Sequence, residues 1–210
     1  MSCDALLVDD HPLFRAGFVV AWRRGVGRGR IYEAGSLAEA RTRLRQLARL
    51  DATIVDVGLP DGWGLSLVPE LVERRCVTVV LTMFDKPAVA VAARHLGARG
   101  VFSKDMDPEH ILRGIDRLLL GQGSSHFPDV ALPDLTQREL EVLGGIMDGL
   151  GNREIAEHLG VGAETVKTHV SNVIDRLGAT GRAGAARVAR ELGFDIALPF
   201  LGEGKRNHRE

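Results

Sequence analysis

The chain has 210 residues, 45% of them apolar and 26% charged, with a net charge of −1. This supports packed cores and excludes wholesale disorder, a polycation that coats nucleic acid, and a membrane span, because no apolar run approaches roughly 18 residues. Cys3 and Cys76 offer neither a disulfide framework nor metal-ligand spacing, and Met1-Ser2-Cys3-Asp4 lacks the features of a secretory signal, so a cytoplasmic protein with two reduced thiols and no membrane partner is expected.

Short apolar runs stand at 5–8, 30–32, 53–55, 77–81 and 100–102. Runs of this length, rich in Val and Ile, read as buried parallel strands. Helical patterns separate them. In 36–50, Leu37, Ala40, Leu44, Leu47 and Ala48 share one face, while Arg41, Arg43, Arg45 and Arg49 lie largely away from it. Ser36 followed by Glu39 predicts a capping box at its start. The tract 23–29 is rich in Gly and Arg, but it follows a helix rather than a strand and reads as a flexible loop, not a nucleotide loop. Pro69 falls inside the third helix and should delay or kink it. A fifth helix runs from Pro108 to about Leu120. Five strands alternating with five helices predict an α/β doubly wound five-stranded parallel sheet over 1–121.

Residues 121–133 are rich in Gly, Ser and Pro and carry no period, so 122–134 reads as a linker. Beyond it the β signal ends. Four helices are predicted at about 137–148, 152–159, 163–177 and 181–192, forming an all-α domain over 135–196 with a flexible tail at 197–210.

In a parallel sheet the strand ends converge on one edge. The first strand ends in Asp9-Asp10, the third in Asp56, the fourth in Thr82 and the fifth in Ser103-Lys104. Three close carboxylates repel one another, and a hard cation such as Mg²⁺ held by Asp9, Asp10 and Asp56 relieves that. A carboxylate in such a crevice is a nucleophile toward phosphorus, with Thr82 and Lys104 placed to contact the transferred oxygens. Of the 27 basic residues only four are Lys, so a Lys kept at 104 marks a place for a compact ammonium. His11 reads as a loop residue at the crevice rim, and His95 and His110 as surface residues.

Val8-Asp9-Asp10-His11-Pro12, Asp56 with Pro60 and Gly64, Leu81-Thr82 and Lys104-Asp105 resemble the receiver domain of two-component response regulators. The resemblance implies phosphotransfer from a sensor histidine kinase onto Asp56, with Asp9 and Asp10 holding Mg²⁺ and Thr82 and Lys104 contacting the phosphoryl group. One departure concerns the aromatic residue that the family carries three positions before the Lys. Here that position is Val101, and Phe102 beside it faces the other side of the strand.

From Ala163 to Leu177, Val166, Val170, Val173 and Leu177 form a core stripe with Ile174 alongside. Glu164, Thr168, Ser171, Asn172 and Asp175 face away, flanked by Lys167. The preceding helix and the Gly160-Val161-Gly162 turn complete a helix-turn-helix pattern, whose second helix suits the major groove of double-stranded DNA, where Thr168, Ser171 and Asn172 would read base edges and Lys167 would reach a phosphate or a guanine. Charge opposes this: from 123 onward ten basic residues face 13 acidic ones, a net of −3, while before it 17 face 15, a net of +2. Phosphate attraction rests on Arg153, Lys167, Arg176, Arg182 and Arg187, so a weak monomer that relies on dimerisation is expected.

Thr136-Gln137-Arg138-Glu139, Asn152-Arg153-Glu154-Ile155-Ala156, Thr165-Val166-Lys167-Thr168-His169-Val170 and Leu177-Gly178-Ala179 resemble the LuxR/NarL-type DNA-binding domain. The resemblance implies DNA contacts from Lys167, Thr168 and Ser171. The last helix either pairs two such domains through Ala185, Val188, Ala189 and Leu192 or turns that face to its own core. The expected protein is a DNA-binding transcription regulator and not an enzyme, a homodimer when active, switched at Asp56. Two other readings stand beside it. One is a regulator independent of phosphorylation, to which Val101 points. The other is an aspartyl-phosphate phosphatase of the haloacid dehalogenase type, whose Asp-x-Asp nucleophile this chain lacks.

Overall fold

The computed structural model describes residues 3–25, 29–83, 86–122, 126–129 and 131–201. The chain divides into two compact units, Met1–Asp85 with Ala93–Asp129 and Lys86–Ala92 with Val130–Glu210. In chain order come β1 (Ala5–Val8), α1 (Pro12–Gly25), β2 (Ile31–Ala34), α2 (Leu37–Gln46) and β3 (Ala52–Asp56). A hairpin of β4 (Gly58–Leu59) and β5 (Gly62–Trp63) and a 3₁₀ turn, Gly64–Leu67, lead into α3 (Val68–Glu73). Then follow β6 (Val77–Thr82), α4 (Pro87–His95), β7 (Gly100–Ser103) and α5 (Pro108–Leu119).

The five long strands form one parallel sheet in the order β2-β1-β3-β6-β7. Alternate side chains leave a strand on opposite faces, so each strand feeds two cores. Leu7, Ile54, Leu81 and Phe102 meet Phe18 and Trp22 of α1 and Ile111 and Ile115 of α5. Leu6, Val8 and Val55 meet Leu37, Ala40 and Leu44 of α2 and Leu71 of α3. Burial on both faces explains why these strands read as unbroken apolar runs.

Two details differ from the sequence expectation, and a third follows it. Helix α2 ends at Gln46, not near 50, because Leu47 turns extended (φ −99°, ψ 118°) and the chain must travel to β3, burying Leu50 on the way. Pro69 does delay α3: the 3₁₀ turn comes first and the proline occupies the helix's first turn, where no N–H is needed. Residues 23–25 close α1 instead of starting a loop, and 26–28 of the predicted loop lie outside the described residues.

The linker is the largest difference on this side. His126 pairs with the open edge of β7, its N–H donating to Arg99 O at 2.9 Å and its carbonyl accepting from Val101 N at 2.8 Å. Its ring lies on Phe102 at 4.2 Å, nearly parallel at 7°, and the Arg94 guanidinium sits 4.5 Å from the centre of the Phe127 ring. An edge strand presents unpaired backbone groups, and this segment covers them.

Helix α2 has an unusual cap. Ser36 Oγ accepts from Glu39 N, but the Glu39 carboxylate reaches Gly35 N at 2.7 Å, one residue short of a full capping box. Asp61, in the β4–β5 turn, adds two acceptors, taking Leu37 N at 2.8 Å and Ala38 N at 2.9 Å. These N–H groups hold its carboxyl below the ordinary value of 3.8. A depressed folded-state pKa stabilises above the unfolded value and loses that effect as pH falls through the folded one. Asp61→Asn should therefore lower the melting temperature at pH 7, with the gap to wild type closing below about pH 4 in thermal scans across pH.

The second unit holds α6 (Gln137–Met147), α7 (Asn152–Leu159), α8 (Ala163–Arg176), α9 (Gly181–Leu192) and α10 (Phe194–Leu201). The four predicted helices are present within one residue or so of their expected ends. Thr136 and Glu139 form a complete capping box on α6, and α7 closes on Gly160 in the left-handed region (φ 64°), the tight turn the motif needs. The expected flexible tail from 197 is corrected in part: α10 carries the chain to Leu201, with Phe194, Ile196 and Ala197 buried. Its apolar run Phe194-Asp195-Ile196-Ala197-Leu198 is too short to announce a helix by period alone. Residues 202–210 of that tail lie outside the described residues.

Candidate functional site

The carboxyl ends of the central strands bring the predicted acids together. Asp9 follows β1, Asp56 ends β3, and both are buried, with Asp10 half-buried beside them. Asp9, Asp10, His11 and Asp56 each offer one ligand atom, all within 4.8 Å of one another. Lys104, one residue past β7, lies 3% exposed between them, its Nζ donating to Asp56 Oδ2 at 2.6 Å and standing 2.6 Å from Asp9 Oδ2. The Asp9 contact is a charge contact: Asp9 Oδ2, like Asp10 Oδ1, is buried and takes part in no hydrogen bond.

Burial pushes the Asp56 carboxyl up, Lys104 pulls it down, and Asp9 adds to the rise, leaving it above the ordinary value. Gly58 N–H also donates to it. Three carboxylates so close together, with two buried oxygens that take charge contacts but no hydrogen bond, are a donor set suited to a hard divalent cation, and Mg²⁺ favours a few carboxylates plus water. Thr82 ends β6, is 4% exposed, and its carbonyl accepts from Lys104 N at 2.9 Å. All five residues predicted at the strand ends thus gather at one edge of the sheet.

Two supporting residues escaped the sequence reading, and a third was read there only as part of a motif. Phe14 of α1 places its ring centre 4.8 Å from Lys104 Nζ, an attraction for the ammonium. Arg15 donates to Asp9 O at 2.6 Å and to Glu33 Oε2 at 3.3 Å, fixing the backbone that carries the acid pair. Gly64 is the third: a Cβ there would stand 1.9 Å from Asp56 O, so only glycine lets the chain pass beneath the acceptor. The signal for Phe14 and Arg15 was their place in the first turn of the helix that leaves the acid pair. His11 sits at the rim as expected, 63% exposed, with Nδ1 2.7 Å from Asp10 Oδ1 and its N–H on Asp9 Oδ1 at 2.8 Å. Val101 and Phe102 point to opposite faces, and Phe102 belongs to the α1–α5 core.

In the second unit, Val166, Val173 and Leu177 are buried, and Val170 is half-buried. Lys167, Thr168 and Ser171 are exposed on α8, and Arg153 is exposed on α7. Lys167 makes a loose 3.4 Å pair with Glu164, and Thr168 Oγ1 donates to Glu164 O. Asn172 differs from its neighbours: its side chain hydrogen-bonds Glu139 of α6. Glu139 is 2% exposed and also takes Thr136 N, Thr136 Oγ1 and, at 3.4 Å, Arg176. Burial pushes its carboxyl up, but these partners outweigh burial and leave it below its ordinary value.

Two of the cations expected to attract phosphate have internal work. Arg176 also donates to Asp134 O. Arg182 donates to Leu150 O and, at 3.1 Å, to Asn152 Oδ1, and its burial lowers its pKa. Arg187 is paired with Glu191 at 2.5 Å. The apolar face of α9 is settled for two residues: Ala185 and Ala189 are fully buried, while Val188 and Leu192 are half-buried.

Comparison with known proteins agrees with this geometry. The model of the response regulator receiver domain matches residues 5–116, and that of bacterial regulatory proteins of the luxR family matches 133–189. The chain is 34% identical over 206 residues to the DNA-binding transcriptional activator DevR/DosR of Mycobacterium tuberculosis, covering 89% of this chain and 93% of that one. It is 31% identical over 188 residues to the transcriptional regulatory protein UhpA of Escherichia coli, covering 86% and 94%. Among solved structures, RcsB of Salmonella typhimurium shares the fold with a TM-score of 0.67 at 20% identity, over 90% of this chain and all of that one. A LuxR-family response regulator from Aurantimonas is 27% identical with a TM-score of 0.55, over 61% and 92%. The chain belongs to the response regulators that join a receiver domain to a LuxR-family DNA-binding domain.

Proposed function

We propose that Asp56 accepts a phosphoryl group from a histidine kinase or a small phosphodonor, and that this modification controls dimerisation and DNA binding through α8. The observation that carries the reading is the buried Asp9–Asp56–Lys104 contact at the strand ends, in a chain that also has a helix-turn-helix. Asp9, Asp10 and Asp56 would hold Mg²⁺, which when bound supplies positive charge between carboxylates and phosphoryl oxygens. Asp56 Oδ attacks phosphorus, the bond from phosphorus to the donor atom breaks, and that atom leaves with the electron pair. The product is an acyl phosphate. Lys104 Nζ already lies 2.6 Å from Asp56 Oδ2 and turns to the new oxygens, with Thr82 beside it. The added charge then biases an equilibrium between two arrangements of the protein.

On DNA, Lys167, Thr168 and Ser171 form the reading face, Arg153 adds a phosphate contact, and Asn172 serves chiefly to hold α8 on α6 through Glu139. RcsB is described as two dimers bound to two DNAs, and a homodimer on paired half-sites is proposed here too. Lys167→Ala should weaken binding to a selected duplex about three- to tenfold and lower the slope of log affinity against log salt by about 1. Titrations at several salt concentrations that matched wild type would exclude this docking face.

A regulator independent of phosphorylation has one observation in its favour, the absence of an aromatic ring at 101 with Phe102 held in the opposite core. A phosphatase differs in turnover: wild-type protein should label once per chain and should not release chromophore steadily from p-nitrophenyl phosphate, whereas sustained release would favour the hydrolase.

A further inference from the structure

A second charged cavity lies away from the acidic crevice. It has a volume of about 240 Å³ and is lined by His110, Arg113 and Arg117 of α5 together with Gln122 and His126. This is smaller than cavities that hold drug-sized ligands, and its lining is cationic rather than apolar. None of the lining residues is acidic. The one acid paired with them, Glu109, meets Arg113 at 3.7 Å with both side chains mostly exposed, a contact of little strength. Arg117 has no ion-pair partner among the described residues. The floor is rigid: a Cβ on Gly114 would stand 2.5 Å from the Phe102 ring, so α5 is packed directly on that ring.

His126 is fixed from below by Phe102 and from the side by its two backbone bonds to β7. Burial pushes its imidazole down, and nearby His110 pushes it further. His126 shares the cavity lining with His110, Arg113 and Arg117 of α5 and with Gln122, and the uncharged Phe102 ring of β7 is stacked on it. Two guanidinium groups thus stand at this cavity, with the exposed Glu109 paired to one of them.

We propose that this cavity binds a small phosphate-class oxyanion, held by the Arg113 and Arg117 guanidinium groups with His110, Gln122 and His126 donating. Arginine forks suit tetrahedral oxyanions, which accept two parallel hydrogen bonds from one group. A bound anion ties α5 to the segment at 126–129 and so holds that segment on the edge of β7, the strand that leads into Lys104. Binding raises the His126 pKa, so affinity for an anion that does not itself titrate rises as pH falls through that value.

The test uses the full chain without divalent cation, so that the acidic crevice takes no part. Pyrophosphate and inorganic phosphate are titrated calorimetrically, with sulfate as the probe whose charge is constant between pH 5.5 and 8. Saturable binding is expected, at least tenfold weaker in Arg117→Gln and lost in Arg113→Gln/Arg117→Gln, with sulfate binding tighter at the lower pH. Both substitutions are on the exposed face of a helix and leave the melting temperature near wild type. Duplex DNA is the second source of the same chemistry: DNA affinity at fixed salt should be unchanged by Arg117→Gln. Absence of saturable pyrophosphate binding, or binding undiminished in the double variant, overturns the proposal. A loss of DNA affinity in Arg117→Gln without a loss of pyrophosphate binding overturns it as well.

Discussion

Wild-type protein incubated with Mg²⁺ and a small phosphodonor should take up about one phosphoryl group per chain, and Asp56→Ala should take up none. The expectation follows from geometry. Asp56 is the carboxylate that ends the central strand, is 4% exposed, and has Lys104 on one oxygen and Gly58 N–H nearby. Asp9 is fully buried, with its backbone carbonyl held by Arg15 and its Oδ1 by His11 N–H, and Asp10 Oδ1 faces His11. Neither is free to turn to a donor while keeping these contacts. Mass spectrometry of the intact protein reads the result. Labelling that persisted at the wild-type level in Asp56→Ala would move the acceptor elsewhere.

The second large effect is at Lys104. Removing one partner of a buried charge cluster leaves the rest uncompensated, a change that costs about 3 kcal/mol. Lys104 serves two buried carboxylates, Asp9 and Asp56, each at 2.6 Å. In chelator, Lys104→Ala should melt roughly 10 °C below wild type. Adding Mg²⁺ should recover much of that loss, because a ligand of the folded state stabilises it by about 2.7 kcal/mol at a hundredfold excess over its dissociation constant. Wild type should gain less, since its ammonium already neutralises the same oxygens. Equal Mg²⁺ shifts in the two proteins would show that Lys104 and the cation do not share these carboxylates.

Much of this site is readable from the chain because a parallel sheet has one chemistry-bearing edge. Once residues 5–8, 53–56, 77–82 and 100–103 are read as parallel strands, Asp9, Asp56, Thr82 and Lys104 must converge. The helix-turn-helix is legible for a similar reason: the stripe of Val166, Val173 and Leu177 fixes which side of α8 is dry, leaving Lys167, Thr168 and Ser171 outside. What escaped depends on partners distant in sequence. Periodicity puts Asn172 on the outer face, but Glu139 of α6 reaches it. Arg176 and Arg182 count as free cations until the carbonyls of Asp134 and Leu150 are seen to take them. His126 stands in a tract of Gly, Ser and Pro, and only the open edge of β7 explains why it is held.

On the proposed reading, the state of Asp56 sets the affinity of α8 for DNA. The direct measurement is the affinity of the full chain for a duplex selected from a random library, with and without beryllofluoride and Mg²⁺, in wild type and Asp56→Ala. Wild type should bind at least tenfold tighter with beryllofluoride, and Asp56→Ala should show no change. Equal affinity of wild type in both conditions would contradict that reading and leave the phosphorylation-independent regulator in its place.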